Sequence, residues 1–174
     1  MGPHSTVSPA ATLAEAVLRG DSRSLARAMT WVENGDAGAE GILEALYGKR
    51  PAAPRVGFTG PPGAGKSTIV AEYTRLLRAE GIQVGIIAVD PTSPFTGGAI
   101  LGDRVRMNEH ATDAKVFIRS MATRGSLGGL AARTSELCEL LDAWGSQTTL
   151  VETVGVGQSE LDVAEAADTT VVVL

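Results

Sequence analysis

The clearest chemistry in this chain sits in one short run, Gly60-Pro61-Pro62-Gly63-Ala64-Gly65-Lys66-Ser67. It matches the phosphate-binding pattern G-x-x-x-x-G-K-[ST] in full. Gly63 and Gly65 let the backbone turn tightly and bring its N–H groups onto phosphate oxygens. The N-terminus of a following helix adds partial positive charge at the same place. Lys66 can reach β- and γ-phosphates, the Ser67 hydroxyl can ligate Mg²⁺, and Thr68 can contact the α-phosphate. The context fits: residues 55–59 read as a strand and 66–79 as a helix. The run points to a nucleoside triphosphate and is silent about the base.

Three carboxylates are placed to serve the same phosphates. Thr149-Leu150-Val151 leads into Glu152-Thr153-Val154-Gly155. A carboxylate ending an apolar strand is the Walker-B arrangement, which holds Mg²⁺ directly or through water. Here Glu stands where Asp is usual. The spacing to Gly155 is that of a D-x-x-G switch, in which the Gly155 N–H senses the γ-phosphate. The alternative is a Gly-rich turn with a solvated Glu152. Asp90 closes the strand after the phosphate-loop helix, and open α/β sheets collect ligands at the carboxyl ends of their strands. Asp90, Asp103 and Glu152 can therefore converge on Mg²⁺, with Lys66, Asp90 and Glu152 as the catalytic set. Asp90 reads equally as an Asp-Pro turn, and Asp103 as an N-cap or surface charge. Residues 92–98 read as a switch loop. In residues 124–129, Arg124 can neutralise phosphate, or the glycines can serve close backbone packing. His4 and His110 lack metal-ligand spacing, and Cys138 lies on the apolar side of a helix.

These residues need elements to position them. From residue 55 onward, strands alternate with helices. Strands are expected at 55–59, 83–89, 115–120, 148–151 and 170–174, and helices at 66–79, 100–110, 127–144 and 161–167. Such alternation specifies an α/β fold with a mostly parallel sheet and right-handed crossovers. The unbroken apolar run 171–174 reads as a central, buried strand, so the 55–174 core is expected to be incomplete at its C-terminus. Residues 49–54, with Pro51 and Pro54, read as a linker. Before it, 11–48 form a helical arm, either a packing subdomain or a docking element. Thr12-Leu13-Ala14-Glu15 reads as a capping box. Gly20 ends that helix, and Asp21 or Ser22 caps the next, which carries Leu25, Ala28, Met29 and Val32. A third short helix carries Ile42, Leu43 and Leu46. Residues 1–10 read as a disordered or vector-derived tail.

Composition narrows the class. The chain has 174 residues, 44% hydrophobic and 20% charged, with net charge −5. That is too apolar for a disordered chain and lacks the basic footprint of a nucleic-acid binder. Its apolar runs fall well short of the roughly 18 residues of a membrane span, and its start lacks the pattern of a secretory signal. A single cysteine excludes an internal disulfide and points to a reducing, cytoplasmic compartment. Of the 21 glycines, nine read to loops or helix starts at one sheet edge: Gly63, Gly65, Gly97, Gly98, Gly125, Gly128, Gly129, Gly155 and Gly157.

Five blocks occur in a fixed order: residues 60–68, Ala88-Val89-Asp90-Pro91-Thr92-Ser93-Pro94, Leu101-Gly102-Asp103-Arg104-Val105-Arg106-Met107, Arg124-Gly125-Ser126-Leu127-Gly128-Gly129-Leu130, and Glu152-Thr153-Val154-Gly155-Val156-Gly157-Gln158-Ser159-Glu160. Together they resemble the MeaB/ArgK family of GTPases, chaperones of methylmalonyl-CoA mutase within the SIMIBI class of P-loop proteins. The resemblance implies a homodimeric, Mg²⁺-dependent protein that binds GTP and GDP. It would gate adenosylcobalamin delivery to a cobalamin-dependent acyl-CoA mutase and protect that enzyme. It also implies that Lys66 and Ser67 bind phosphate and Mg²⁺, and that Asp90, Asp103 and Glu152 organise the metal shell. Older names in the family describe an ATPase or amino-acid transport kinase, and a non-catalytic nucleotide-binding module is the third reading. One departure is plain. The family's guanine-reading N-K-x-D motif does not occur in these residues, nor do its later strands and dimerising part.

Overall fold

The structure, a computed structural model, describes residues 8–90, 110, 112–122, 130–153 and 159–174. Three helices open the chain: α1 (Pro9–Leu18), α2 (Ser22–Asn34) and α3 (Ala39–Leu46). The alternating part follows as β1 (Arg55–Thr59), α4 (Lys66–Ala79), β2 (Val84–Asp90), β3 (Val116–Ala122), α5 (Leu130–Trp144), β4 (Thr148–Thr153), α6 (Ser159–Ala166) and β5 (Thr169–Val172). The strands form one parallel sheet in the order β3-β2-β4-β1-β5. The α/β architecture expected from the sequence is the one observed.

Strand pleating divides the core. Successive residues face opposite sides of a sheet. Ile86 and Leu150 therefore join Phe58, Val70 and Leu77 beneath α4. Their chain neighbours Ile87 and Val151 face the other way, toward α5, α6 and the N-terminal helices. All six residues of β4 are buried, as a central strand covered on both faces requires.

The N-terminal helices share that second cluster. Leu25, Ala28, Met29 and Val32 are fully buried, and they belong to the same apolar cluster as Leu137, Leu141 and Trp144 of α5. Trp144 packs against Phe117 of β3 with ring centroids 5.8 Å apart. Its indole N–H donates to the Gly20 carbonyl at 3.0 Å. Arg119 of β3 reaches back to α2, donating from Nε to Glu33 Oε1 at 3.1 Å and pairing through Nη2 with Glu33 and Thr30. Apolar burial and these side-chain contacts tie the helices to the sheet.

Several boundaries differ from expectation. Helix α1 starts at Pro9, because Ser8 caps it by accepting from the Ala11 N–H and proline suits the first helical turn. Thr12 is then inside the helix, where its hydroxyl bonds to the Ser8 carbonyl, so it is not the cap. For α2, Asp21 is the cap, and Gly35 ends the helix at φ +67°. Strand β4 runs on to Thr153, so Glu152 lies within a strand, paired on both sides. The strand expected at 170–174 is observed at Thr169–Val172. β5 pairs only with β1 among the described residues, and it lies at a sheet edge with Val172 60% exposed. Its apolar run keeps the character of a central strand, and its outer side has no partner strand among the described residues. The helix expected at 100–110 lies outside the described residues except His110, which is in a turn.

Candidate nucleotide site

β1 ends at Thr59 and α4 begins at Lys66, so residues 60–65 form the turn between them. Gly60, Gly63 and Gly65 have φ of +133°, +80° and +94°, a region that L side chains rarely enter. Two of them leave space. A Cβ on Gly63 or Gly65 would meet no atom within 4 Å, so ligand oxygens have room to approach the backbone. Gly60 differs, because a Cβ there would sit 2.0 Å from the Val173 carbonyl oxygen. The Val173 N–H also donates to the Thr59 carbonyl at 2.8 Å. The turn therefore lies tight against the backbone that follows β5. No side chain caps α4, which leaves the first N–H groups of the helix available to an anion.

Lys66 is only 5% exposed. Its Nζ donates to the Gly60 carbonyl at 2.8 Å and the Pro61 carbonyl at 3.0 Å. An ammonium group carries a further donor beyond these two. Ser67, also buried, donates from Oγ to Glu152 Oε1. Glu152 stands in register with Phe58 of β1 and Ala88 of β2, so the central strand delivers its carboxylate to the first turn of α4. A hydroxyl and a carboxylate from two rigid elements are the oxygen donors that Mg²⁺ prefers. Thr68, Pro61, Pro62 and Gly63 are exposed around them, and Ala64 and Gly65 partly so.

Not every expected residue is brought into this arrangement. Asp90 is the last residue of β2, one strand from Glu152 and at the same sheet edge, but its side chain lies outside the described residues. Asp103 and Gly155 lie outside them too, as do residues 92–98 and 124–129. Among the described residues no group of three or more His, Cys, Asp or Glu could hold a metal, so the cation ligands on view are Ser67 and Glu152. The bland residues stay bland. His110 Nε2 lies 3.0 Å from the Ala71 carbonyl. Burial pushes the Cys138 thiol up to about 12, which leaves it inert. Two features had no short-range signal: the Ser67–Glu152 contact, which joins positions far apart in the chain, and the packing of Gly60 on Val173.

The sequence model of the family described as methylmalonyl Co-A mutase-associated GTPase MeaB matches residues 25–174. The chain belongs to this MeaB family. A protein of Pyrococcus horikoshii named as a GTPase is 54% identical over 165 residues, covering 95% of this chain and 52% of that protein. The GTPase ArgK of Escherichia coli is 47% identical over 165 residues, covering 91% of this chain and 50% of its own length. A crystal structure titled as an LAO/AO transport system kinase matches 99% of this chain and 51% of that one, with 33% identity and a TM-score of 0.76. The chain thus spans about half the length of the curated relatives it matches. Among the described residues, no helix is long and apolar enough to cross a membrane.

Proposed function

We propose that this MeaB-family chain carries the phosphate and Mg²⁺ site of a GTPase that escorts a cobalamin-dependent acyl-CoA mutase in the cytoplasm. The observation that carries the nucleotide part is the contact between Ser67 and Glu152 beside the loop that Lys66 closes. Ser67 and Glu152 would hold Mg²⁺, which when bound supplies positive charge to the β- and γ-phosphates. The backbone at Gly63 and Gly65 and the start of α4 would orient the phosphates, and Lys66 would neutralise charge that develops at the γ-phosphate. Asp90, Asp103 and the Gly155 N–H would complete the metal shell and the γ-phosphate sensor. Guanine as the base, homodimerisation and the mutase as partner rest on family kinship, which the matched family description supports.

Calorimetric titration of the full-length protein with GTP and with ATP, each with Mg²⁺, tests the nucleotide reading. GTP is expected to bind at least about tenfold tighter, a difference of about 1.4 kcal/mol. Equal affinities, or a preference for ATP, would remove guanine. Phosphate transfer to an acceptor instead of water would favour a kinase, and binding without turnover a non-catalytic module. Pull-down with a cobalamin-dependent acyl-CoA mutase at low salt tests the partner. Association is expected, and its complete absence would overturn the escort role.

A further inference from the structure

At the sheet edge opposite the phosphate loop lies a cleft of about 310 Å³. Tyr47, Arg50, Arg55, Glu139 and Asp142 line it, from the end of α3, the linker, the start of β1 and the last turns of α5. Arg55 opens β1 and Thr59 closes it. A strand rise of about 3.3 Å per residue therefore puts the cleft roughly 13 Å from the phosphate loop. A ligand there would not overlap a nucleotide, and the inference is independent of the nucleotide reading.

The charges in the cleft are unevenly used. Asp142 is committed, its Oδ1 accepting from the Ala53 N–H at 3.0 Å and its Oδ2 from Arg55 Nη2 at 3.3 Å. Arg50 Nη2 donates to the Leu18 carbonyl at 2.8 Å. These contacts leave most of the N–H donors of both guanidinium groups unspent. Glu139 is half-buried and has no hydrogen-bond or ion-pair partner among the described residues. Burial pushes its carboxyl up, against the pull of Arg55 and with the push of the Asp142 and Glu136 charges. A partly desolvated carboxylate without a hydrogen-bond partner is a cost to the folded chain that a docked cation would offset. Tyr47, 73% exposed, supplies an aromatic ring for the same cation.

We propose that this cleft binds a small zwitterion carrying an ammonium and a carboxylate a few ångströms apart, the chemical class of the free amino acids. The ammonium is held by Glu139 beside Tyr47, and the carboxylate takes unspent N–H donors of Arg55 and Arg50. A bare amine would leave the unspent donors of Arg50 and Arg55 unused, and a bare carboxylate would leave Glu139 without a partner. The volume is near the lower end of ligand pockets, about 300 Å³, which suits an amino acid better than a nucleotide.

The test is calorimetric titration of the 174-residue chain with glycine, L-lysine and L-glutamate, beside cadaverine and acetate as single-sign probes. At least one amino acid is expected to saturate below about 10 mM, with both single-sign probes about tenfold weaker. Glu139→Gln keeps the shape and removes the charge, so it should weaken that binding about tenfold. Tyr47→Ala should weaken it about threefold. Neither should alter affinity for GTP. Failure of all three amino acids to saturate, equal binding of a single-sign probe, or unchanged binding in Glu139→Gln would each overturn the proposal.

Discussion

Replacing Lys66 with alanine is expected to abolish measurable nucleotide binding while the chain stays folded. A hydrogen bond to a charged group contributes about 1.5–3 kcal/mol. Two such contacts to β- and γ-phosphate oxygens amount to roughly 3–6 kcal/mol, or about a hundredfold to ten-thousandfold in affinity. The fold loses less. The Nζ bonds go to the Gly60 and Pro61 carbonyls; water can replace the ammonium at exposed Pro61, while the buried Gly60 carbonyl loses its partner. A net loss of about 1–3 kcal/mol is expected, lowering Tm by roughly 6 °C centrally. Calorimetry with GTP and a thermal melt of the same sample check both halves. Affinity within about threefold of wild type would remove Lys66 from the site.

Gly60→Ala is expected to damage the fold more than any other change in the loop. The new Cβ would lie 2.0 Å from the Val173 carbonyl oxygen, at a φ of +133°. The backbone conformation costs a non-glycine residue about 1–3 kcal/mol. Overpacking against an immobile carbonyl adds about 1–3 kcal/mol more. The sum, roughly 2–6 kcal/mol, is a large share of the 5–15 kcal/mol that holds a typical domain together. A fall in Tm of about 10 °C is the central expectation. Gly63→Ala is the internal control, since its Cβ meets no atom within 4 Å. It carries only the backbone term, about 1–3 kcal/mol, so its melting temperature should fall by roughly half as much, about 6 °C centrally. Equal melting temperatures for the two variants would show that Val173 does not hold Gly60 in solution.

Legibility in the sequence followed the range of the interactions involved. The phosphate loop was readable because its chemistry is local: glycines, a lysine and a hydroxyl at fixed spacing, between an apolar strand and a helix. The parallel sheet was readable for the same reason, from alternating periods of apolar residues. Helix α2 was predicted with Asp21 or Ser22 as its cap, and the structure selects Asp21, whose bond spans only three residues. The start of α1 was misplaced because two local caps competed, and the Ser8–Pro9 pair prevailed over Thr12. β5 was readable as a strand from its run of valines, while its place at the edge of this sheet follows from which strands flank it. Asp90 and Glu152 were both read to one sheet edge, and β2 and β4 do run side by side there.

The sequence by itself pointed to a class of ligand, a nucleoside triphosphate, and set the alternating plan of strands and helices. Both are written in short-range patterns that any chain with those residues must express. Only the tertiary structure decided which groups meet. It laid the Glu152 carboxylate on Ser67, set Val173 against Gly60, and packed the N-terminal helices onto α5, enclosing Glu139 and Arg55 in one cleft. Each of these contacts joins residues distant along the chain. Their proximity depends on strand order and on which face of each helix is buried, and both are settled when the whole core packs at once.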